Sequence, residues 1–302
     1  MPGFAADAAP VIALGPSRGR IPVKQTMHEH GAFALLVAPA MLLVATCYFL
    51  PLAQVLWISV TEPAPGLDNY AQLFTSASIA RMLATTARIC AITTLVTLAL
   101  GYVVAYALTH ARPPARRLMM IGVLLPLWVS VLVRAFAWMA LLRREGLINS
   151  VLLTTGVIAH PLSLIWNEFG VIVGMTHTML PYAILPMAVQ MRQIDPALEA
   201  AARGLGADAW ATFWRVFLPL SLPGLLGAGL LVVIFSLGFY VTPVLLGGGR
   251  TLMIAEYISL QILELLRWGT GTMLATTLVA AILLSLAALS RVVNLRQLFG
   301  AK

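Results

Sequence analysis

The chain has 302 residues, of which 60% are hydrophobic and only 10% are charged. A soluble domain carries roughly a quarter charged residues, so this composition excludes a large soluble protein and indicates an integral membrane protein. A net charge of +8 would suggest nucleic acid binding in a soluble protein, but here the positions of the charges explain it better. Cys47 and Cys90 lie in apolar runs, which indicates neither a disulfide framework nor a metal site.

Six apolar runs are long enough to cross a bilayer, which takes about 20 predominantly apolar residues. They cover roughly 32–60, 83–109, 118–142, 170–190, 219–246 and 270–291. Prolines in the first and fifth runs (Pro51, Pro223 and Pro243) predict kinks or tilt. Residues 1–30 are rich in Gly, Pro and Ala and precede a full-length span, so they do not have the pattern of a short cleavable signal.

The basic residues predict the orientation of these spans. Twelve of the nineteen Lys and Arg residues fall on one side of the predicted membrane. They are Arg18, Arg20, Lys24, Arg112, Arg116, Arg117, Arg192, Arg203, Arg215, Arg291, Arg296 and Lys302. Because basic loops stay in the cytoplasm, we expect both termini there, with a tail over 1–30, a six-span domain over 31–295 and a short tail over 296–302. The outer segment 143–169 predicts a short surface helix, interrupted by Gly156 and Pro161.

Segment 191–218, between the fourth and fifth runs, is charged and predicts two helices divided by a glycine. Asp195 is suited to the N-cap and Pro196 to the first helical position, and Gly206 can end the helix in a left-handed conformation. Asp208 then caps a second helix. Apolar residues at helical spacing predict that this helix lies along the membrane surface: Trp210, Phe213, Trp214 and Phe217.

The first helix of this segment carries small and apolar residues on one face, namely Leu198, Ala201, Ala202 and Leu205. Such a face permits the close approach of a partner. From these residues alone, a well-capped loop without a partner is an equally good interpretation.

The same segment resembles the signature cytoplasmic loop of ABC-importer permeases. That signature reads Glu-Ala-Ala, three residues, Gly, nine residues, a β-branched residue, any residue, and Leu-Pro. Counting from Gly206 places the triplet at 200–202 and the Leu-Pro at 218–219. The glutamate position holds Ala200, and the acid, Glu199, comes one residue earlier. A shift of one residue turns a side chain by about 100° on a helix, so contacts of the family's glutamate do not carry over directly.

The resemblance extends over about 66–291, and its features are those of the spermidine/putrescine-type branch. It is carried by "GLDNYAQLF" (66–74), "LGYVVAYALTH" (100–110), "LLPLWVSVLVRAFAWMALLRREGLIN" (124–149), "MLPYAILPMAVQMRQIDPALEAAARGLGA" (179–207), "FYVTPVLLGGGR" (239–250) and "WGTGTMLATTL" (268–278). It implies an all-α integral membrane protein with six transmembrane helices and the type I ABC-importer permease fold, located in a bacterial-type inner membrane.

The resemblance also implies the partners. They are a second permease subunit, two cytoplasmic ATP-binding subunits and an extracytoplasmic solute-binding protein. The loop would be the coupling helix that docks on the ATPase, through Asp195, Leu198, Glu199, Ala201, Ala202, Leu205, Gly206 and Asp208. The chain has no GxxxxGK[ST] phosphate loop, so ATP and Mg²⁺ are expected in the separate ATPase. No catalytic residue, metal ligand or directly bound cofactor is expected in this chain.

Arg134, deep in the third run, is the first candidate for the substrate path. An arginine at mid-span costs roughly 2.5–3.5 kcal/mol on insertion scales and indicates function unless it pairs with a backbone carbonyl or helix end. Arg88 is a second candidate, which could instead reach the outer interface.

The aromatic candidates are Trp138, Tyr182 and Tyr240, which could equally be packing residues, as could Trp128, Phe136 and Phe239. Pro181 and Pro186 predict a break in the fourth span, and His160 and His177 are interpreted as packing residues.

The substrate is not settled by the sequence. A polyamine favours acids or aromatic faces, yet no Asp or Glu lies inside a predicted span. A cation would therefore need aromatic side chains, Glu168 of the outer loop or the partner subunit, and an amino-acid-like or anionic solute is the other possibility. A secondary transporter or channel predicts repeats or intramembrane acids, and an intramembrane enzyme predicts a paired nucleophile and base. Neither pattern is visible in this chain.

Overall fold

The structure, a computed structural model, describes the backbone of residues 24–292 and the side chains of residues 37–288. The predicted tail residues Arg18 and Arg20 and the predicted C-terminal tail 296–302 therefore lie outside the described residues. All regular secondary structure of the described residues is helical, and these residues contain no strand. The chain divides into two compact units, Met1–Ala53 and Gln54–Lys302.

The first unit contains most of one helix, α1, which runs from Lys24 to Thr61 and so ends in the second unit. From residue 37 onward α1 is long and apolar enough to cross a membrane. Pro39 and Pro51 lie inside it without ending it.

The second unit contains the remaining helices. In chain order they are α2 (Asp68–Thr75), α3 (Ala77–His110), α4 (Pro113–Trp128), α5 (Val131–Leu142), α6 (Leu147–Thr154), α7 (Glu168–Met191), α8 (Pro196–Gly204), α9 (Ala209–Thr212), α10 (Leu218–Leu237), α11 (Val241–Gly247), α12 (Ile254–Ser259) and α13 (Trp268–Val292). Two five-residue π-helical segments, Phe213–Phe217 and Leu260–Glu264, precede α10 and follow α12.

The predicted six spans correspond to five helical segments and one bent pair. In the described part of the chain, the segments long and apolar enough to cross a membrane are Val37–Thr61, Ala77–His110, Glu168–Met191, Ala209–Leu237 and Trp268–Ala288. The bent pair joins Pro113–Trp128 to Val131–Thr154 at an angle of 102°. This pair corrects the prediction of one continuous span over 118–142. Pro126 lacks the N–H for a helical bond, and Val129 and Ser130 then leave the helical conformation, with ψ of 130° and 140°.

Three further predictions near the spans are wrong. The fifth span does not reach residue 246, because α10 ends at Leu237 and α11 begins as a separate helix after Gly238. The fourth span is unbroken, since Pro181 and Pro186 both lie inside α7. The helix predicted along the membrane surface is instead continuous with α10, through a π turn in which Leu218 N donates to Phe213 O. That wider turn accommodates the residues just before Pro219.

The outer segment contains the predicted short helix, α6. It ends before Gly156, whose φ is +72°. The buried Asn149 fixes the following loop, because its Nδ2 donates to the carbonyls of Arg143 (3.1 Å) and Leu162 (3.0 Å) and its Oδ1 accepts from Leu162 N (2.8 Å).

Helices α3, α7 and α10 form the centre of the second unit, and α7 packs against the other two. Small residues allow the close approach, as is usual between membrane helices. At Gly101, an added Cβ would lie 3.0 Å from Met187 Cε and 3.3 Å from Ala183 Cβ on α7. At Gly229 of α10, an added Cβ would lie 3.2 Å from Leu98 Cδ1 of α3.

We expect Gly101→Leu to destabilise this α3–α7 contact by about 1–3 kcal/mol, because the larger side chain has no space between the helices. The measurement is the midpoint of thermal unfolding in detergent, compared with that of the unchanged protein.

Gly122→Leu on α4 is the matched control, since an added Cβ there meets nothing within 4 Å. If both variants unfold at the same temperature, the close approach at Gly101 does not contribute to stability.

Candidate translocation cavity and coupling loop

A cavity of about 450 Å³ lies where two helix breaks meet the middle of α7. One break is the bend between α4 and α5, and the other is the turn at Gly238 between α10 and α11. The lining residues are Leu127, Val129, Val131, Arg134, Thr178, Tyr182, Gly238, Phe239, Tyr240 and Val241. Arg134 is the charged residue of this set, and the set contains no acid.

Arg134 holds the end of α4 in place. Its side chain is buried, and Nη2 donates to the carbonyls of Pro126 and Val129, the latter at 2.9 Å. Pro126 O also accepts from Val129 N at 3.3 Å, and Val129 follows the last residue of α4. Both carbonyls therefore belong to a helix C-terminus, where the helix dipole favours a positive charge. The guanidinium therefore has the structural role that the sequence left as an alternative, and it also lines the cavity. Its Nε is buried without a hydrogen-bond partner among the described residues.

Two predicted aromatic residues also line the cavity. Tyr182 is partly exposed, and its ring lies 4.9 Å from that of Phe235. The hydroxyl of Tyr240 lies 3.3 Å from Ser259 Oγ of α12. Phe239 lies beside them in the lining. The cavity therefore offers aromatic faces and hydroxyl groups beside one guanidinium whose Nη2 is already hydrogen-bonded.

The other two candidates for the substrate path are outside this lining. Trp138 donates from Nε1 to Nδ1 of His177, at 3.1 Å, so His177 has a polar partner as well as packing contacts. Arg88 is exposed and forms an ion pair with Glu168 at the start of α7. The structure thus brings Arg134, Tyr182 and Tyr240 together and leaves Trp138 and Arg88 apart.

Sequence reasoning missed several lining residues and one buried acid. Thr178 gave no signal of its own, whereas Pro126 and Gly238 are the sequence signals for the two helix breaks beside the cavity. Glu256, in α12, has its Oε2 buried with no hydrogen-bond partner among the described residues. Burial raises the pKa of Glu256 to about 7, against a smaller opposing effect of a hydrogen bond to the Met253 backbone.

The loop between α7 and α10 has the predicted caps. Asp195 Oδ1 accepts from Ala197 N at 2.9 Å, and Asp208 Oδ1 accepts from Ala211 N at 2.7 Å. Gly206 follows α8 with a φ of +90°, and its N–H donates to Arg203 O at 3.0 Å. A left-handed residue here turns the chain sharply between the two helices.

The predicted docking face of α8 is exposed in part. Leu205 is 90% exposed and Leu198 is 47% exposed, with Ala201 beside them, whereas Ala202 is half-buried. Glu199 does not share this exposure, since its side chain is only 18% exposed and faces the end of α3. Asp195 and Asp208 serve as helix caps.

The aromatic residues after Asp208 are divided between two surfaces. Trp210 and Trp214 are exposed, with ring centroids 5.5 Å apart. Phe213 and Phe217 instead pack edge-on against Tyr106 of α3, at 5.6 and 5.1 Å. This α3 surface was not predicted, although Tyr102, Tyr106 and His110 are spaced four residues apart, which places them on one face of a helix.

The comparisons with known proteins fit these features. The family described as "Binding-protein-dependent transport system inner membrane component" matches residues 97–297. The chain belongs to this family. As such it is the permease subunit of an ABC importer, a multi-pass protein of the inner membrane, and not an enzyme.

Curated relatives of this permease include polyamine transporters. The chain is 30% identical over 220 residues to the spermidine/putrescine transport system permease protein PotB of Haemophilus influenzae, covering 72% of this chain and 77% of the relative. It is 31% identical to PotB of Escherichia coli, covering 72% and 80%. It is also 29% identical to the inner membrane ABC transporter permease protein YdcU of Escherichia coli, covering 72% and 75%.

Solved structures confirm the ABC-importer permease fold. A chain of a bacterial ABC transporter that imports the acidic polysaccharide alginate matches with a TM-score of 0.70 and 18% identity, covering 89% of this permease and 98% of that chain. The alginate transporter in complex with its alginate-bound periplasmic protein also matches with a TM-score of 0.70, at 16% identity, covering 87% and 94%. At these identities the likeness concerns the fold alone.

We expect Arg134→Ala to lower solute import at least about tenfold, because it leaves the partly buried carbonyls at the end of α4 without a charged donor. Association with the ATPase should be retained, since Arg134 does not lie in the coupling loop. The measurements are uptake into proteoliposomes and recovery of the ATPase on a tagged permease.

Arg134→Lys keeps the charge but presents it as a single ammonium group, so we expect an intermediate loss. If Arg134→Ala instead abolishes insertion or folding, the result favours a structural role for Arg134 over a role in the substrate path.

Proposed function

We propose that this permease forms half of the pathway of an ATP-driven importer and is driven through the 195–218 loop. Its partners would be a second, homologous permease, two cytoplasmic ATPases and an extracytoplasmic solute-binding protein. The observation that carries the proposal is the loop itself, which is capped at both helices by Asp195 and Asp208 and turned at Gly206. A loop held rigid in this way can transmit a displacement of the ATPase to the membrane spans.

The surface proposed for the ATPase is the exposed side of α8. Leu198 and Leu205 are large apolar residues exposed to solvent on a charged loop, with the small Ala201 near them. Exposed apolar residues beside small ones suit a groove on a partner protein that takes up a short helix. Glu199 lies outside this surface.

The orientation proposed for the chain places both termini and the loop in the cytoplasm. The support is the concentration of basic residues on that side, including Arg192, Arg203 and Arg215 near the loop. An ATPase that hydrolyses cytoplasmic ATP could reach α8 only in this orientation.

The substrate that we propose is a polyamine or a related amine. The PotB relatives carry the proposal, and the cavity supports it, because Tyr182, Phe239 and Tyr240 offer aromatic faces to a cation. The positive charge of Arg134 in the same lining disfavours a cation, and the two backbone carbonyls that its Nη2 contacts offset this charge only in part. An amino-acid-like or anionic solute is the alternative outcome of the test below.

The test is import into proteoliposomes that contain the permease with the ATPase, partner permease and binding protein that co-purify with it. We expect uptake of labelled spermidine or putrescine that requires ATP on the cytoplasmic face of the permease. Vanadate should stop this uptake.

Uptake that continues without ATP would contradict the importer function and favour a secondary transporter or channel. ATP-driven uptake of a carboxylate or another anion, with no competition by spermidine, would contradict the polyamine substrate while keeping the importer function.

Gly206→Pro should uncouple ATP hydrolysis from import, because proline cannot adopt a φ of +90° and removes the N–H that donates to Arg203 O. We expect import to fall about tenfold or more, on the basis of a strain of about 1–3 kcal/mol in the turn. Membrane insertion should be unchanged.

Gly206→Asn is the matched variant, because asparagine tolerates the left-handed region better than other residues. We expect it to retain more import than Gly206→Pro. Normal import by Gly206→Pro would show that the shape of this turn does not matter for coupling.

A further inference from the structure

The carboxylate of Glu199 faces other residues of this permease rather than solvent. Although α8 lies in a charged, exposed loop, the Glu199 side chain is only 18% exposed. Its Oε1 lies 3.8 Å from Nε2 of His110, the last residue of α3, and its Oε2 lies 3.5 Å from Nη2 of Arg203. The first of these contacts joins the end of α3 to α8, two helices that are far apart in the chain.

His110 is positioned to serve as the partner of this carboxylate. Its Nδ1 lies 3.0 Å from Tyr106 O, and its ring lies 4.2 Å from the ring of Tyr106 and 5.5 Å from that of Phe217. One ring nitrogen therefore lies within hydrogen-bond distance of a carbonyl, and the other lies at ion-pair distance from a carboxylate, an arrangement that suits a ring with a proton on both nitrogens. A cation in the last turn of α3 also interacts favourably with the helix dipole.

Two further residues on the same face of α3 contact the end of the loop and the start of α10. Tyr106 packs edge-on against Phe213 and Phe217, and the hydroxyls of Tyr102 and Ser221 lie 2.8 Å apart. Tyr102, Tyr106 and His110 are four residues apart, so they form one stripe along α3. His110 is the last of the three, and it reaches α8, whereas the other two contact the start of α10 and the segment before it.

These contacts explain the departure from the family signature. The signature places its glutamate at position 200, but this chain has Ala200 there, and Ala200 is exposed. Moving the acid to position 199 turns it by about 100° around α8. That rotation takes the carboxylate to His110 and leaves an uncharged residue at the exposed position.

We propose that His110 is a positioning residue for coupling, which with Glu199 fastens α8 to the cytoplasmic end of α3. A displacement of α8 is then passed to the second span directly, in addition to its passage through the chain into α10. This inference rests on the proposed role of the loop in an ATP-driven importer. His110 acts through Glu199 and touches neither substrate nor nucleotide.

The test uses the reconstituted transporter with its co-purified ATPase and measures the number of solute molecules imported per ATP hydrolysed. We expect His110→Ala and Glu199→Gln each to lower this ratio about three- to fivefold, in line with the loss of a partly exposed ion pair. Hydrolysis and recovery of the ATPase should persist. The double variant should be no worse than Glu199→Gln alone, because the contact that His110→Ala removes is then already lost.

His110→Arg is the charge-keeping variant, and we expect it to restore at least about half of the lost ratio, since arginine can also pair with Glu199. His160→Ala, in the exposed outer segment, is the control and should match the unchanged protein. If His110→Ala lowers the yield of folded protein, Glu199→Gln carries the test, because it keeps the shape of the side chain.

Additive losses in the double variant would overturn the proposal, and so would an unchanged ratio in Glu199→Gln. Loss of the ATPase from Glu199→Gln would also overturn it, because Glu199 would then belong to the docking surface. These results differ from failure of the importer function itself, in which the unchanged protein would show no ATP-driven import.

Discussion

The cavity depends on how this protein satisfies the backbone carbonyls at a helix end inside the membrane. A bilayer offers no water to an unpaired carbonyl, so a helix can stop at mid-depth only where the protein provides a donor. Arg134 provides it for α4, with one guanidinium nitrogen shared by the carbonyls of Pro126 and Val129. The bend of 102° that follows opens the space that Thr178, Tyr182 and the turn at Gly238 complete.

The cavity and the coupling loop are linked by the two helices that border the loop. α7 carries Thr178 and Tyr182 and ends where the loop begins, while α10 starts at the end of the loop and finishes beside Gly238. Because both helices also pack against α3, a displacement of the loop acts on three neighbouring helices at once. In the proposed importer, this arrangement converts the movement of an ATPase into a change at the cavity.

The sequence predicted the features that follow from local chemistry. Hydropathy locates the spans approximately, and the caps Asp195 and Asp208 and the turn at Gly206 follow from the preferences of single residues. The sequence-based predictions were wrong where packing between neighbouring helices determines the structure. Pro181 and Pro186 do not break α7, since packed neighbours on both sides support it, whereas Pro126 in α4 precedes a sharp bend. The site was predicted only in part for the same reason. Arg134, Tyr182 and Tyr240 were identified by residue type. That they line one cavity with Gly238 could not be predicted, because it depends on the two helix breaks.

The most direct measurement is the reactivity of a cysteine placed at Val131, in the lining of the cavity, with Cys47 and Cys90 replaced by alanine. A small cationic thiol reagent is applied to the complete transporter, first without nucleotide and then with ATP and vanadate. We predict that the labelling rate changes severalfold between the two conditions and that Gly206→Pro abolishes the change. The same rate in both conditions, or a cysteine that never reacts, would contradict a solvent-accessible cavity that the coupling loop controls.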